Sequence, residues 1–273
     1  MTNSETTTAP YTGIDDLTLS LGDGVLSVTL NRPDSLNSLT APMLDTIATA
    51  LEHAATDPRV RVVRLGGAGR GFSSGAGISE ADQAGHAARN GPDDVLAAAN
   101  RAVRSIVALP KPVVSVVQGP AAGVGVSLAI SADVILASEK AYFLLAFTKI
   151  GLMPDGGASA LVAAAVGRTR AMRMALLAER MSATDALAAG LVSAVYPHEG
   201  LDAAVDGVIE TLRSGPAVAL RKTKQAINAA TLTELEPAFE RETDGQLVLL
   251  ESGDFREGTR AFQQRRAAIF TDD

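Results

Sequence analysis

Apolar and polar positions alternate from Leu17 to Asn31. Leu26, Val28 and Leu30 fall on one side, and Gly22-Asp23-Gly24 interrupts the run, which predicts two strands joined by a tight turn. The period then lengthens. Leu44, Ile47, Ala48 and Leu51 recur at helical spacing, Thr40 stands where a capping residue belongs, Pro42 suits the first turn, and Asp57-Pro58 ends the helix. Val60 to Leu65 is the next expected strand and runs into the glycine-rich stretch GGAGRGFSSGAGIS. Residues 80–95 lose the pattern, contain Gly85, Gly91 and Pro92, and read as a mobile loop or lid. A helix from about Val95 to Leu109 leads through Pro110-Lys111-Pro112 to a strand, VVSVVQ. The turn GPAAGVGVSLAISA then opens a helix of small residues, and VILAS is a further strand. This alternation predicts an α/β sheet with helices packed on it. From Gly151 onward helical patterns dominate, punctuated by Gly190, Pro197 and Gly215-Pro216, so a helical appendage is expected.

Composition narrows the chemistry. Of 273 residues 47% are hydrophobic, but only 4% are aromatic and none is Trp, so the core must be Ala, Val, Leu and Ile. Cysteine is absent, which excludes disulfides and thiolate metal sites. The three histidines, His53, His86 and His198, lie far apart in no ligand-like spacing, so no metal site is expected. A net charge of −7 argues against nucleic acid as the main partner. No run approaches the roughly 18 apolar residues of a membrane span. The start, MTNSETTTAPYTG, lacks the basic-then-apolar order of a signal peptide and reads as a polar tail over residues 1–12. A cytoplasmic protein without a membrane partner is therefore expected.

Two glycine-rich turns carry the candidate chemistry: Phe72-Ser73-Ser74-Gly75-Ala76-Gly77-Ile78, and Gly119-Pro120-Ala121-Ala122-Gly123-Val124-Gly125. Small residues let a ligand approach the backbone, and a helix start leaves N–H groups unpaired. Two such turns facing each other suit one developing oxyanion. Taken singly, each is equally a turn that permits close packing. Neither is a Walker loop, since no Lys-Ser/Thr pair follows the glycines.

The whole set, in order, resembles the crotonase or enoyl-CoA hydratase/isomerase family. LNRPDSLNSL at 30–39, GFSSGAGI at 71–78, PKPVVSVVQGPAAGVGVSLAISADVILAS, FTKIGLMPDGGAS at 147–159, GLVSAVYP at 190–197 and FREGTRAFQQRR at 255–266 stand in the family's register, over roughly residues 13–270. The resemblance implies a crotonase-like core of stacked βα turns in a spiral (13–200), followed by a C-terminal helical oligomerisation region (201–273) that builds a homotrimer or dimer of trimers. It implies a coenzyme A thioester as substrate and no permanently bound cofactor. The N–H groups of Ala76 and Val124 match its oxyanion positions. Coenzyme A is expected near Asp34-Ser35-Leu36 and the segment Ala76, Gly77, Ile78 and Ser79, with Phe262 helping to cover the nucleotide.

The chain departs from the hydratase pattern where the reaction is decided. The two glutamates that hold and activate water in hydratases of the family correspond here to Ser127 and Phe147. Ser127 can at most hold a water, and Phe147 takes no proton. Asp155, in Leu152-Met153-Pro154-Asp155-Gly156-Gly157, resembles the acid of the enoyl-CoA isomerase and epoxyphenylacetyl-CoA ring-isomerase branches. Double-bond isomerisation with Asp155 as proton shuttle is the leading expectation. Weak hydration through Ser127 and Asp155, a nucleophilic Asp155 as in aryl-CoA dehalogenases, and acyl-CoA binding without turnover are the alternatives. A purely structural reading makes Asp155 the cap of a helix beginning near Gly156. Arg32 either meets a phosphate or is solvated, and Arg221-Lys222-Thr223-Lys224 reads as a solvated helix face in preference to a coenzyme A patch.

Overall fold

The alternation over residues 17–31 folds as a hairpin in the computed structural model, which describes residues 11–79, 82 and 93–271. Strands β1 (Leu17–Gly22) and β2 (Val25–Leu30) pair antiparallel with Gly22 opposite Val25. Asp23 and Gly24 between them have φ of 48° and 81°, the two positive values that a two-residue hairpin of this twist requires. Helix α1 (Ala41–Thr56) starts at Thr40, whose side chain accepts the Met43 N–H. Strand β3 (Val62–Gly67) begins two residues later than expected, because the Val60 N–H is spent on the Asp57 carbonyl in the preceding turn. Helix α2 (Asp93–Ala108) and strand β4 (Val113–Val117) follow. The tail expected over 1–12 and the loop expected over 80–95 fall mostly outside the described residues.

Next come β5 (Ala121–Ala122), α3 (Val124–Ile130), β6 (Val134–Ser138), β7 (Tyr142–Leu144) and a 3-10 turn over Phe147–Ile150. After α4 (Ala158–Val166), α5 (Arg168–Leu177), β8 (Met181–Ser182), α6 (Ala183–Ala189) and β9 (Ala194–Tyr196), the chain ends in α7 (Leu201–Ser214), α8 (Ala217–Thr231), α9 (Leu235–Leu250) and α10 (Gly253–Gln263). Among the described residues the main sheet has the order β1-β2-β3-β4-β6-β9, parallel from β2 onward. β4 is buried at every position because both faces of the sheet are covered, which is why VVSVV shows no alternation. One face packs on α1 and α2 through Leu44, Ile47, Val103 and Ile106, and α7 covers the other with Leu201, Val205 and Ile209 on Val62, Val114, Val116 and Leu136.

β8 and β9 lie in the region where helical patterns dominate. A strand of two or three residues is too short to show a period, and β9 is held by pairing with β6, Leu136 opposite Ala194. A second sheet, β5-β7-β8, lies against the turns that follow β3 and β4. Helix α9 returns to pack on α4, and α10 packs on the 3-10 turn at Phe147. Among the described residues no helix is long and apolar enough to cross a membrane.

Candidate active site

The two glycine-rich turns are bonded to each other. The Phe72 and Ser73 N–H groups donate to the Pro120 carbonyl at 2.9 and 3.1 Å, and the Ala122 N–H donates to the Ser73 carbonyl at 2.9 Å. At their closest approach lie Gly75 (φ 91°) and Gly123 (φ 53°). A Cβ on Gly75 would stand 2.8 Å from the Ala122 carbonyl oxygen, so both the conformation and the space demand glycine. The first turn is also tied to the segment before α1. Buried Asn37 (φ 56°) donates to the Ala68 and Gly71 carbonyls and accepts from the Arg32 N–H, while Ser73 Oγ donates to the Asn37 carbonyl.

Among the donors that these ties leave are the N–H groups of Ala76 and Val124. Leu39 bridges the first turn by donating to the Gly75 carbonyl and accepting from the Gly77 N–H, and in a parallel bridge the N–H of the residue between, Ala76, points the other way. Val124 opens α3, where an N–H has no intrahelical partner. Among the described residues neither N–H meets an acceptor. The positive φ of the second turn falls on Gly123, so the β-branched Val124 takes ordinary helical geometry.

Asp155 is followed by two consecutive left-handed glycines, Gly156 (φ 64°) and Gly157 (φ 76°), which bring its segment against α3. The Cβ position of Gly156 is bounded by Val124 Cγ2 and Ser127 Cβ, each at 3.1 Å, and Ser127 Oγ donates to the Asp155 carbonyl at 2.8 Å. Ser127 is fully buried, and its hydroxyl proton is thus committed to positioning the Asp155 backbone. The Asp155 carboxyl does not cap α4. That role belongs to Glu242 of α9, whose two oxygens accept the Gly157 and Ser159 N–H groups at 2.6 and 2.7 Å. Asp155 Oδ2 instead accepts from Gln246 Nε2 at 2.7 Å, and Oδ1 is buried without a hydrogen-bond partner among the described residues. Burial pushes the Asp155 carboxyl up to about 7, with the Glu242 charge adding to the rise and the Gln246 hydrogen bond opposing it. Burial likewise raises Glu242, against the lowering by its bonds to Ser159 and Gly157.

The remaining sequence candidates fall around this centre. Asp34 and Ser35 form a single 3-10 turn and Leu36 follows it with φ 55°. Ser74 bonds to both the Ser35 and Leu36 carbonyls, which sets that turn against the first glycine-rich turn. Ala76 and Ser79 are exposed and Ile78 half-buried. Gly77 is buried because Asp82 lies over it; a Cβ at 77 would overlap the Asp82 carboxyl carbon. Asp82, five residues on, thus sets its carboxyl over this turn, and Ser79 donates to it at 2.7 Å. Phe147 is buried in the main core. Phe262 is 61% exposed on α10, and its neighbour Gln263 donates to the Ile78 carbonyl, so this helix end reaches the first turn within one chain.

Arg32 is half-buried and ion-paired: it pairs with Asp82 at 3.0 Å and Asp16 at 3.6 Å and donates to Ser38. Arg221, Lys222 and Thr223 are exposed, as a solvated helix face requires, but Lys224 does not join them; its side chain is 8% exposed and pairs with Asp133 at 2.9 Å, bonding also to the Ile106 and Lys111 carbonyls. Sequence reasoning did not single out Glu242, Gln246, Asp82 or Asn37. A signal for the first two exists: Leu235, Ala238, Phe239, Glu242 and Gln246 form the buried stripe of α9 at helical spacing, and two of the five are polar.

Comparison with known proteins places this arrangement. The enoyl-CoA hydratase/isomerase family model matches residues 20–273. A 1,2-epoxyphenylacetyl-CoA isomerase of Escherichia coli K12 is 38% identical over 91% of this chain and 95% of its own length. A 2,3-dehydroadipyl-CoA hydratase of the same organism is 33% identical over 94% and 99%. A crystal structure of an enoyl-CoA hydratase from Mycobacterium avium subsp. paratuberculosis K-10 superposes with a TM-score of 0.88 at 66% identity, covering 94% of this chain and 99% of that one. With matches of that length on top of the bonded turns and the layered sheet, the chain belongs to the enoyl-CoA hydratase/isomerase (crotonase) family of enzymes.

Proposed function

We propose that this enzyme moves the double bond of an unsaturated acyl-CoA, with Asp155 as the proton carrier and the Ala76 and Val124 N–H groups as the oxyanion donors. The observation that carries the reading is Asp155 itself: a carboxyl with one buried oxygen that has no partner among the described residues, followed by a glycine that packs against the Val124 side chain, and with its proton affinity raised to about 7. A thioester carbonyl acidifies the adjacent C–H groups, yet the enolate is too basic to form unaided. Two preorganised donors at its oxygen lower the barrier, each by about 3–4 kcal/mol. Ionised Asp155 then takes a proton from C2 of a 3-enoyl thioester, the negative charge spreads over C2, C4 and the carbonyl oxygen, and the same carboxyl returns the proton at C4. No water enters the balance. A carboxyl that titrates near neutrality suits both halves of such a transfer.

Coenzyme A would lie along Asp34, Ser35, Leu36 and the segment Ala76–Ser79, with Phe262 over the nucleotide. The family resemblance supports a homotrimer or a dimer of trimers, which sedimentation at micromolar concentration tests; a stable monomer would contradict it. A cytoplasmic location belongs to the same reading. The relative named for 1,2-epoxyphenylacetyl-CoA isomerisation supports isomerase chemistry.

Hydration is the second reading, favoured by the name of the 66% identical Mycobacterium avium protein. It requires a second group to activate water. Glu242 is the nearby carboxylate, but both its oxygens are occupied by backbone N–H groups; Phe147 takes no proton, and the Ser127 hydroxyl donates to Asp155. Incubation with 3-enoyl-CoA and 2-enoyl-CoA, read by mass spectrometry, separates the readings. A product of unchanged mass with a displaced double bond is expected. A product heavier by one water would replace isomerisation with hydration, and thioester binding without turnover would make the chain a binding protein.

A further inference from the structure

The polar pair on the buried stripe of α9 remains outside the chemistry described so far. Gln246 is 1% exposed and makes three hydrogen bonds to one short segment: Oε1 accepts from the Met153 N–H at 3.1 Å, and Nε2 donates to the Met153 carbonyl at 3.0 Å and to Asp155 Oδ2 at 2.7 Å. The Met153 N–H fixes the orientation of this amide, because only the carbonyl oxygen can accept from it. The amide therefore presents N–H, never oxygen, to Asp155. One turn earlier, Glu242 is also 1% exposed and is locked by the Gly157 and Ser159 N–H groups. Two residues of one helix thus grip the catalytic segment on either side of Asp155.

We propose that Gln246 and Glu242 are positioning residues for Asp155: Gln246 holds Oδ2 and leaves Oδ1 as the oxygen that takes and returns the proton, while Glu242, bonded to the Gly157 and Ser159 N–H groups, holds the backbone on the other side and sets a second carboxyl near the first. The inference rests on Asp155 being the proton carrier. A hydrogen bond donated to a carboxylate favours its charged form, and a like charge nearby disfavours it, so the two residues act on Asp155 in opposite directions. Among the described residues Glu242 is the charged group that acts on Asp155, and Arg241 acts in turn on Glu242. The α3 neighbours are Val124 and Ser127, and on α4 Ser159 binds Glu242; none of these is titratable.

The opposition makes the role separable from plain packing. Asp155 must be ionised to act as a base, so the acid limb of kcat/KM follows its titration. Glu242→Gln removes the charge and is expected to move that limb down by about one pH unit. Gln246→Met keeps length and volume, removes the donor, and is expected to move it up by about one. The Asp155 carboxyl is titrated in parallel by 13C NMR of the ligand-free enzyme, with the resonance assigned through Asp155→Asn. Shifts of opposite sign in the NMR titration are the expected result. Shifts of the same sign, or none, overturn the inference whatever happens to the rate. If the NMR shifts appear but the rate ignores them, the grip on Asp155 stands and the proton-carrier reading falls. Should one variant fail to fold, the sign of the other's shift decides alone.

Discussion

Asp155→Asn is expected to make the enzyme inactive and, at neutral to alkaline pH, more stable. The carboxyl titrates at about 7 in the folded chain against an ordinary 3.8. For an acid raised in this way the folded state binds more protons than the unfolded state between those two values. The contribution of Asp155 to stability is therefore most favourable below about pH 4 and falls as pH rises towards about 7, reaching a penalty of about 4 kcal/mol above it. Asn carries no charge and escapes that penalty. Its carbonyl oxygen can still accept from Gln246 Nε2, but its amide nitrogen then occupies the position of Oδ1, which has no partner among the described residues. An unsatisfied buried donor costs about 1–3 kcal/mol. Protonated Asp155 also presents a donor at that position, so the net expectation is a gain of about 1–3 kcal/mol at about pH 8 that fades towards about pH 4, where Asp155 is protonated in wild type too. Urea unfolding of both proteins at the two pH values reads the difference. Isomerase turnover should fall about a hundredfold or more, with binding of the thioester largely kept. A variant no more stable than wild type at about pH 8, or one whose stability difference ignores pH, would refute the assignment of a buried, charge-penalised carboxyl. Normal turnover would refute its role as proton carrier.

Ser127→Ala removes the bond to the Asp155 carbonyl but no proton carrier, so its turnover should fall far less than that of Asp155→Asn in the same assay. Gly75→Ala places a Cβ 2.8 Å from the Ala122 oxygen at a φ of 91°; a loss of about 2–4 kcal/mol in urea unfolding is expected, together with weakened turnover as the two donors move apart. Lys224→Met leaves the partly exposed Asp133 without its cation but with the Val113 N–H still bonded to it, and should cost about 1–3 kcal/mol in the same unfolding experiment, whereas a solvated lysine would cost nothing measurable.

What the linear sequence determined is whatever is decided between near neighbours. The β1–β2 hairpin follows from alternation around Asp23-Gly24, the start of α1 from Thr40 and Pro42, and the buried β4 from an unbroken apolar run between prolines and glycines. The glycines of both turns were legible because tight turns and close approach leave glycine as the residue that fits. The order of the motifs carried the family. What only the tertiary structure decided are contacts made by parts of the chain that return from far away. Asp155 meets Gln246 across 91 positions, and Gly157 meets Glu242 across 85, so no local spacing announces either pair. The same holds for Lys224 and Asp133. Asp155 followed by two glycines is as good a local cap sequence as a catalytic one. Against the cap stands α9, which fills the capping position with Glu242 and leaves Asp155 with a buried oxygen that has no partner among the described residues. A proton affinity is set by burial and by neighbouring charges, and both come into being only when the helices pack.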